Sequence, residues 1–436
     1  MLSEQLADMG VVGAGGGGFP AHVKAAARVE YVLANGAECE PLLHKDAELM
    51  AHHATAIVAG MARVVEATGA TKAVFGLKEK NRHAVDAVRR ETDAGGIDLL
   101  LLGDYYPAGD EYELVQAATG RLIPAGGIPL HVGCLVNNVE TFLNIEHAAA
   151  GVPVTRKFLT VTGAVRRAMT VNVPIGISFR ELIAHCGGAT SDELGLLVGG
   201  AMMGHLSFDL DEVVTKTTGG LIVLPAGHDL VQRKARPVAD MHRIGKSACD
   251  QCSYCTEFCP RYLLGYDVQP HKVMRSLGFT TTGAANWNQW GDLCCGCGIC
   301  TLYACPEGLY PKEACDSAKT SLRREGITFT QQKPVTLHPM KDYRRIPVSM
   351  LRKRLGLDEW EREAPLDDTV PEPSRVRLKL KQHAGAPAAP VVAVGDTVRA
   401  GQAVARVGAG QLGATVHTSI GGRVAAITAD AIEVTR

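Results

Sequence analysis

The sequence has few aromatic residues, almost no net charge and no long hydrophobic run. Phe, Trp and Tyr make up 5% of the 436 residues, and 45 Lys and Arg against 46 Asp and Glu leave a net charge of −1. Because positive charge is not in excess, we do not expect binding to nucleic acid or another polyanion. No apolar run approaches the ~18 residues that a membrane-spanning helix needs, so no transmembrane segment is predicted.

The N-terminal residues MLSEQLADMG lack the basic and apolar regions of a signal peptide, which indicates a cytoplasmic protein. The 46% hydrophobic content is enough for sizeable cores and argues against a disordered chain. Nine of the thirteen cysteines fall between Cys249 and Cys305. An odd total with dense local clustering indicates a metal-binding segment rather than a disulfide framework.

Residues 1–150 alternate between helix-like and strand-like patterns. Three strands and two helices are predicted there: strands at 29–34, 73–77 and 97–102, and helices at about 46–67 and 81–92. Strands that alternate with helices predict a largely parallel sheet, and therefore an α/β domain.

Residues 153–225 have a different pattern, in which short β-rich runs at 158–162 and 220–224 flank one helical stretch near 178–186. This pattern predicts a small α+β module. The cysteine segment follows at 240–330 and is expected to be helical between its cysteine runs.

A linker rich in charge and proline is predicted over 331–375. Residues 376–436 are all-β in pattern, and their two glycine-containing repeats look like the halves of a lipoyl- or biotinyl-type sandwich. Such carriers need a lysine at a hairpin tip, but the last lysine is Lys381, ahead of both repeats. We therefore expect a structural module without a lipoyl or biotinyl arm.

The cysteines form two similar runs, Cys249-x2-Cys252-x2-Cys255-x3-Cys259-Pro260 and Cys294-x2-Cys297-x2-Cys300-x4-Cys305-Pro306. In two-cluster ferredoxins, three cysteines spaced by two residues bind one cluster, and the fourth, just before proline, ligates the other. The spacing therefore predicts two [4Fe–4S] centres. One takes Cys249, Cys252, Cys255 and Cys305, and the other takes Cys294, Cys297, Cys300 and Cys259.

The alternative for these cysteines is zinc. A tetrahedral zinc site usually takes two CxxC pairs, so the third cysteine of each run would be surplus, and iron–sulfur clusters are favoured. The second run has one more residue before its last cysteine than the first. Cys295 is out of phase with the repeat and is expected to pack rather than ligate. The scattered cysteines are expected to be small buried hydrophobes: Cys39, Cys134, Cys186 and Cys315.

A glycine-rich loop at Gly13 to Gly18 matches G-x-G-x-x-G, with Glu38 twenty positions after Gly18. No clear strand precedes the loop, so the match to a dinucleotide site is weak by itself. Pro20 suits the first position of a helix, and bare backbone amides before a helix favour a phosphate or a flat anionic ring. The alternative is a tight glycine turn without a ligand.

Four strings carry a resemblance to known proteins: GAGGGGFPAHVK, Asn35–Pro41, Tyr106–Glu111 and Asn137–Thr141. They resemble the NADH-oxidising subunit of respiratory complex I and the C subunit of the Rnf complex. The domain order, with the sandwich module at the C-terminus, resembles that of the cobalamin reductases of propanediol-utilisation microcompartments. The second cysteine run, with the sequence CGICTLYACPE, resembles the same proteins. The resemblance implies a Rossmann-like FMN-binding domain, a β-grasp (SLBB-like) module, a ferredoxin-like insert with two [4Fe–4S] clusters, and a C-terminal barrel-sandwich module.

The resemblance also implies a noncovalent FMN site with assigned residues. The backbone of Gly13, Gly15, Gly16, Gly17 and Gly18 would approach the flavin, and Lys24 and Asn35 would hydrogen-bond it. Asn137 and Asn138 would lie near the phosphate and ribityl chain, and Glu140 and Thr141 of the same string are assigned to this cofactor site. Glu38, Glu40 and Glu111 would line the side where NADH stacks. The complex I protein has aspartate where this chain has Ala37, and arginine where it has Ala14.

The function that the resemblance implies is NADH-dependent reduction of cob(III)alamin toward cob(II)alamin and cob(I)alamin. FMN would match the two-electron donor NADH to one-electron acceptors, and no residue is assigned as a general acid or base. An adenosyltransferase and microcompartment shell proteins are candidate partners, and a bacterial microcompartment is the candidate location. Two alternatives stay open: a peripheral NADH-oxidising subunit of an Rnf-type membrane complex, and a non-enzymatic iron–sulfur relay protein.

Three lesser signals are given structural interpretations only. His52 and His53 are expected on a solvated helix face. The basic stretch over 344–354 is expected to be a solvated linker. Met202 and Met203 are expected in the core.

Overall fold

The structure is a computed structural model, and it describes residues 1–93, 95–278 and 288–436. Its first part is α/β, as predicted. The helices and strands of this part, in chain order, are α1 (Leu2–Asp8), α2 (Ala21–Ala25), β1 (Tyr31–Gly36), α3 (Lys45–Thr68), β2 (Lys72–Lys78), α4 (Arg82–Thr92), β3 (Ile97–Leu102), β4 (Tyr105–Tyr106), α5 (Glu111–Thr119), β5 (Cys134–Asn138) and α6 (Val139–Ala149).

Four of these strands form a parallel sheet in the order β3-β2-β1-β5. Alternate residues of β1 enter two cores, as a strand buried on both faces requires. Val32 packs with α3 and α6, whereas Leu33 packs with Leu114 of α5 on the other face. Helices therefore cover both faces, and the carboxyl ends of the strands lie together at one open edge.

The second part is built on a six-stranded sheet in the order β12-β7-β6-β10-β8-β9, in which β12 is the short strand Leu366–Asp367 from a later part of the chain. Its elements are β6 (Arg156–Gly163), β7 (Met169–Pro174), α7 (Phe179–His185), β8 (Leu194–Val198), β9 (His205–Ser207) and β10 (Gly220–Pro225). Strands β6 and β10 pair in parallel while β6 and β7 form a hairpin, and α7 packs on the sheet with Phe179 and Leu182 buried. This is the α+β module expected from the sequence.

The cysteine segment is helical, in agreement with the prediction. Its elements are α8 (Asp229–Ala235), α9 (Val238–Ala248), α10 (Tyr254–Glu257), α11 (Pro260–Leu263), α12 (Pro270–Ser276), a π-helical turn (Cys300–Ala304) and α13 (Pro311–Arg324). Helices α12 and α13 pack through Val273, Met274, Ala314 and Ala318, which are buried together with Cys315.

The segment predicted as a linker contains ordered elements that return to the earlier parts of the chain. They are β11 (Ile346–Pro347), α14 (Val348–Arg354) and β12 (Leu366–Asp367). Strand β11 pairs with β4, and β12 pairs with β7. A two-residue strand is too short to show the alternation of apolar and polar residues that predicts a strand. Its presence is recognised only from its pairing in the folded structure.

The C-terminal part is all-β, as predicted, and consists of two small sheets in the orders β13-β19-β18-β15 and β14-β16-β17. Its strands are β13 (Arg375–Lys379), β14 (Ala389–Pro390), β15 (Thr397–Val398), β16 (Ala403–Arg406), β17 (Val416–His417), β18 (Gly422–Ile427) and β19 (Ala431–Thr435). The two sheets share an apolar core that includes Val376, Val404 and Val434.

The C-terminal part also contacts the glycine-rich loop near the start of the chain. The Ala384 amide donates a hydrogen bond to the Gly18 carbonyl at 2.9 Å. The buried Lys216 ammonium donates to the carbonyls of Gly10 and Thr415 at 2.6 and 2.7 Å. One wall of the loop is therefore supplied by residues near the end of the chain.

The described residues include no helix with the length and apolar composition that a membrane crossing requires.

The lesser signals have mixed outcomes. Met202 is buried, but Met203 is 60% exposed, so only the first of the pair belongs to the core. His52 is exposed, whereas His53 packs edge-on against Phe158, with the ring centres 5.5 Å apart. The helical geometry of α3 is interrupted at His53, the residue whose ring packs on Phe158 of the second sheet.

Candidate functional site

The residues assigned to the flavin lie around the open edge of the parallel sheet. Asn35 and Asn138 are register partners near the carboxyl ends of β1 and β5. The glycine-rich loop lies beside them, because the Ala14 amide donates a hydrogen bond to Thr141 Oγ1 at 3.0 Å. In open α/β sheets, ligands bind at the carboxyl ends of the strands, so this edge is the expected position for a cofactor.

The glycines of the loop leave room for a ligand against the backbone. A Cβ atom on Gly15 would meet the Asn138 side chain at 3.1 Å, whereas a Cβ on Gly16 or Gly17 would find nothing within 4 Å. Gly15, Gly16 and Gly17 are exposed, and Gly16 and Gly18 have positive φ angles of 107° and 62°. Side chains at Gly16 and Gly17 would fill this open space, and their absence allows a flat ring to approach the backbone.

Lys24 lies at this sheet edge and is influenced by a nearby carboxylate. Burial lowers the pKa of Lys24, and the nearby carboxylate of Glu111 raises it. The Lys24 ammonium donates to the Val136 carbonyl at 2.7 Å, and the Asn35 amide donates to the Gly109 carbonyl at 2.8 Å. These hydrogen bonds fix the side chains of Lys24 and Asn35 at the sheet edge. A lysine and open glycine amides together suit an anionic group such as the FMN phosphate.

Glu38 lies in the same region and has an unusual pKa. Burial and the neighbouring Asp46 carboxylate raise the pKa of Glu38 to about 7. A raised acid pKa in the folded state means that stability is lost as pH rises from about 4.5 to about 7, because the folded protein keeps a proton that the unfolded chain releases. The Glu38 carboxyl therefore changes charge near neutral pH.

Glu38→Gln is expected to remove this part of the pH dependence. The thermal midpoint of the variant should rise relative to wild type as pH increases from 5 to 8, because the variant has no carboxyl to ionise. Scanning calorimetry at four pH values measures the difference. Glu66→Gln on the exposed side of α3 is the control and should follow wild type throughout. A constant difference for Glu38→Gln across this range would contradict the prediction.

Glu40 joins the first, α/β part of the structure to the second sheet module. Its carboxylate oxygens accept hydrogen bonds from the amides of Met202 and Met203 at 2.8 and 2.7 Å. Both oxygens therefore bind the backbone of the second sheet module, and the assignment of Glu40 to the NADH side stays a prediction. Backbone amides are common to all residue types except proline, so no side-chain pattern in the sequence indicates this contact.

Glu140 is the centre of a buried group of charges. It accepts hydrogen bonds from Lys45 Nζ at 3.0 Å and from Lys157 Nζ, and the Phe158 amide donates to it at 3.1 Å. Burial alone would raise the pKa of Glu140, but the two lysines hold it below its usual range. Lys157 also donates to the Ala14 carbonyl at 3.0 Å, so this group of charges supports the glycine loop.

The first predicted set of cysteines lines one cavity, at which Cys252 is exposed. Cys249, Cys252, Cys255 and Cys305 all line it. Burial raises the pKa of Cys255 to about 12, and the thiols of Cys305, Cys249 and Cys252 contribute in the same direction. Two of the sulfurs accept hydrogen bonds, Cys249 from Gln251 Nε2 at 3.1 Å and Cys305 from the Leu309 amide at 3.3 Å. Such a group of thiols fits a positively charged iron centre.

The second predicted set is also brought together. Burial and the thiols of Cys294, Cys255 and Cys259 raise the pKa of Cys300, so Cys300 lies near its own set and near the first set as well. The thiol of Cys295 and burial raise the pKa of Cys297, with contributions from Cys259 and Cys300. The Gly296 amide donates to Cys294 Sγ at 3.3 Å.

The two cysteine runs share the same backbone course. Gln251 and Ser253 have φ angles of 63° and 69°, and the equivalent residues Gly296 and Gly298 have 72° and 81°. Left-handed backbone at a non-glycine residue costs roughly 1–3 kcal/mol and persists mainly where function requires the loop shape. Both loops therefore wrap inward in the same way.

The additional residue before Cys305 is absorbed by the π-helical turn Cys300–Ala304. In the first run the corresponding turn is the α-helical α10. A π turn accommodates one more residue than an α turn. Cys305 therefore reaches the cavity of the first run despite the longer spacing.

The positions of the thiols favour one of the two candidate occupants of the cysteine sites, a single zinc ion or an iron–sulfur cluster. Among residues 1–93, 95–278 and 288–436, no three His, Cys, Asp or Glu side chains converge closely enough to hold a single metal ion. Four thiols spread around a cavity suit a cluster of several atoms better than one tetrahedral ion. Cys39, Cys134, Cys186 and Cys315 are buried, as expected, although Cys315 lies against Cys294.

The second set of cysteines contacts the flavin part of the chain directly. The Tyr106 hydroxyl donates to the Cys297 carbonyl at 2.7 Å. Arg261, two residues after Cys259, forms two hydrogen bonds with the Asp110 carboxylate at 2.6 and 2.9 Å. Its guanidinium also stacks on the Tyr112 ring at 3.9 Å. Tyr106 and Asp110 belong to the string that resembles the flavin sites, so the cysteine segment is fixed against that site.

Comparison with protein families agrees with this architecture. Four domain models match: a Nuo51 FMN-binding domain over residues 6–147, an SLBB domain over 158–205, a 4Fe-4S dicluster domain over 248–310, and an RnfC barrel sandwich hybrid domain over 361–435. With glycine amides open to a flavin and thiols gathered around a cavity, the chain is a flavin and iron–sulfur oxidoreductase.

Sequence similarity to curated proteins identifies the family within this class. Cobalamin reductase PduS of Salmonella typhimurium is 45% identical, with 100% of this chain and 96% of that protein covered. The chain belongs to the family of PduS cobalamin reductases. The C subunit of the Na(+)-translocating ferredoxin:NAD(+) oxidoreductase complex of Acetobacterium woodii is 33% identical over 60% of this chain and 58% of that protein.

Among solved structures, the NAD+-reducing [NiFe]-hydrogenase in the H2-reduced state is similar with a TM-score of 0.49 and 19% identity. The match covers 84% of this chain and 67% of that one.

Proposed function

We propose that this protein oxidises NADH and reduces cob(III)alamin, using FMN and two [4Fe–4S] clusters. The observation that supports the proposal most directly is the contact between the flavin edge and the cysteine segment through Tyr106 and Arg261. The similarity to PduS extends over 96% of that protein, whereas it extends over 58% of the Rnf-type protein. This difference favours the cobalamin reductase over the Rnf-type alternative.

The residues proposed to hold FMN are the open amides of the glycine loop, Lys24, and Asn35, Asn137 and Asn138 at the sheet edge. When bound, FMN accepts two electrons as a hydride and releases them one at a time, which suits both NADH and one-electron acceptors. The Glu111 carboxylate is close enough to raise the pKa of Lys24, and we keep it on the NADH side of the proposed site. Lys157 positions the loop through the Ala14 carbonyl.

The protein contacts are continuous from this edge to the first cysteine set. The Asp110 carboxylate accepts hydrogen bonds from Arg261, and the Tyr106 hydroxyl donates to the Cys297 carbonyl. Cys300 of the second set lies near Cys255 of the first set. The role of these residues is to keep the centres in a fixed order. The proposed overall reaction balances as NADH plus two cob(III)alamin giving NAD+, H+ and two cob(II)alamin.

The proposal is tested on the protein purified without oxygen. We expect about eight irons, from two four-iron clusters, and one FMN per chain. NADH alone should bleach the visible spectrum, and NADH with cob(III)alamin should give the spectrum of cob(II)alamin. The matched control omits NADH. Full loading with NADH oxidation but no corrinoid reduction would favour the Rnf-type alternative, and clusters without flavin would leave only a relay protein.

The same proposal extends to location and partners. We propose that the protein works inside a bacterial microcompartment and supplies reduced corrinoid to an adenosyltransferase. The support is the similarity to PduS of Salmonella typhimurium over the full chain.

A further inference from the structure

A surface groove of about 770 Å³ lies on the outer side of the cysteine segment. Small-molecule sites commonly enclose roughly 300–1,000 Å³ and combine apolar or aromatic walls with a few charged groups. The groove has this composition, and its lining residues are Tyr254, Phe258, Tyr303, Ala304, Pro306, Arg344, Met350, Lys353 and Arg354.

The apolar wall consists of immediate chain neighbours of the predicted cluster ligands. Tyr254 lies between Cys252 and Cys255, and Phe258 precedes Cys259. Tyr303, Ala304 and Pro306 surround Cys305 along the chain. A molecule bound in the groove would therefore lie beside residues that carry thiols of both sets.

The aromatic wall is held in place by defined contacts. The rings of Phe258 and Tyr303 meet edge to face, with centres 5.9 Å apart, and the Arg344 guanidinium lies 5.0 Å from the centre of the Phe258 ring. Arg344 is fixed in turn by Glu257 at 2.9 Å. Tyr254 is 45% exposed and Met350 is 54% exposed, so both present apolar surface to solvent at the groove.

The opposite rim is basic. The last turn of α14 carries Arg352, Lys353 and Arg354. Arg352 pairs with Asp358 and Glu361 at 2.7 and 2.9 Å. Lys353 and Arg354 are exposed, and within the described part of the chain neither has a carboxylate within ion-pair distance. Two such cations on the rim are complementary to one anionic group.

We propose that this groove is the corrinoid-binding site, an inference that rests on the proposed function. A cobalamin combines a large, partly apolar macrocycle with a single phosphodiester anion in its nucleotide loop. The aromatic wall and Met350 match the macrocycle, and Lys353 and Arg354 match the phosphodiester. In this position each cob(III)alamin gains one electron from the adjacent centre and becomes cob(II)alamin, with NADH as the source of the electrons.

The test measures binding directly. Equilibrium dialysis of the intact cofactor-loaded protein with cyanocobalamin, without NADH, compares wild type with the double variant Lys353→Glu, Arg354→Glu. We expect the dissociation constant to rise about tenfold or more, since two attractive charges become repulsive. Met350→Glu should also weaken binding, because it places a charge against the macrocycle. Iron content and circular dichroism verify that the variants fold and keep their clusters.

A matched control reverses the charge of two adjacent arginines in the last turn of another helix. Arg89→Glu, Arg90→Glu on α4 makes the same charge change away from the groove and should bind cyanocobalamin as wild type does. Dicyanocobinamide, which lacks the phosphodiester, should bind wild type and the Lys353, Arg354 variant with similar affinity. Agreement of these results supports the site.

Two outcomes would overturn the inference in distinguishable ways. If wild type reduces cob(III)alamin with NADH but the groove variants bind cyanocobalamin with unchanged affinity, the corrinoid site lies elsewhere, and a basic surface for an acidic protein partner replaces it. If wild type neither binds cyanocobalamin nor reduces cob(III)alamin, the proposed function itself fails.

Discussion

Replacing Cys255 with alanine is expected to lower the iron content from about eight to about four atoms per chain. Cys255 lines the cavity of the first cysteine set, and its removal leaves three thiols for a cluster that needs four. NADH should still bleach the flavin absorbance, because the flavin edge and the second cysteine set are untouched. Reduction of cob(III)alamin should fall by about tenfold or more, because one of the two centres beside the proposed acceptor groove is lost.

A double variant tests how the ligands are shared between the two cysteine sets. If Cys255 and Cys305 hold the same cluster, as the cavity indicates, Cys255→Ala, Cys305→Ala should retain about four irons. If they hold different clusters, both clusters are damaged and almost no iron remains. Cys186→Ala is the control, because this cysteine is buried beside α7 in the second sheet module and should not change the iron content.

Replacing Glu140 with alanine is expected to destabilise the flavin domain by about 3–5 kcal/mol. The change leaves the buried Lys157 ammonium without a carboxylate partner and leaves Lys45 with Asp46 alone, and breaking a buried ion pair in this way has a cost of that size. For a domain of this length the thermal midpoint should fall by about 10 °C. FMN retention should fall as well, because Lys157 also holds the Ala14 carbonyl of the glycine loop.

The control for this prediction lies on the same helix. Glu146 pairs with Arg63 near the surface, and exposed pairs contribute about 0–1 kcal/mol. Glu146→Ala should therefore shift the midpoint by a few degrees at most. Calorimetry measures the thermal midpoints of both variants. Equal decreases in the midpoint would show that the buried group of charges stabilises the protein no more than the exposed pair does.

The sequence was most informative where chemistry or period is local. The strands β2 and β3 and the helices α3 and α4 lie within about one residue of their predicted positions, because alternation and amphipathic period act within a single element. Strand β1 lies at Tyr31–Gly36 rather than 29–34, a shift within the usual uncertainty of element ends. The four cysteines that the spacing assigned to the first centre all line the first cavity, and their binding to one cluster stays a prediction.

Contacts between distant parts of the chain could not be predicted in this way. The partners of Glu40 are two backbone amides, and the partners of Glu140 are lysines 95 and 17 residues away. Strand β11 is two residues long and gains its identity only from pairing with β4. The π turn Cys300–Ala304 is a local departure from α-helical geometry, and the spacing of the cysteines does not reveal it.

The contact between the glycine loop and the C-terminal module has a consequence for how the protein is made. Gly18 emerges from the ribosome long before Ala384, whose amide donates to it, and Gly10 emerges long before Thr415, whose carbonyl shares the Lys216 ammonium with the Gly10 carbonyl. Domains generally fold in the order of their synthesis, so the first α/β part forms while one wall of its loop is still missing. The wall of the proposed cofactor pocket is therefore completed only after the C-terminal module has been made, and we expect cofactor to enter the finished pocket after that module has docked.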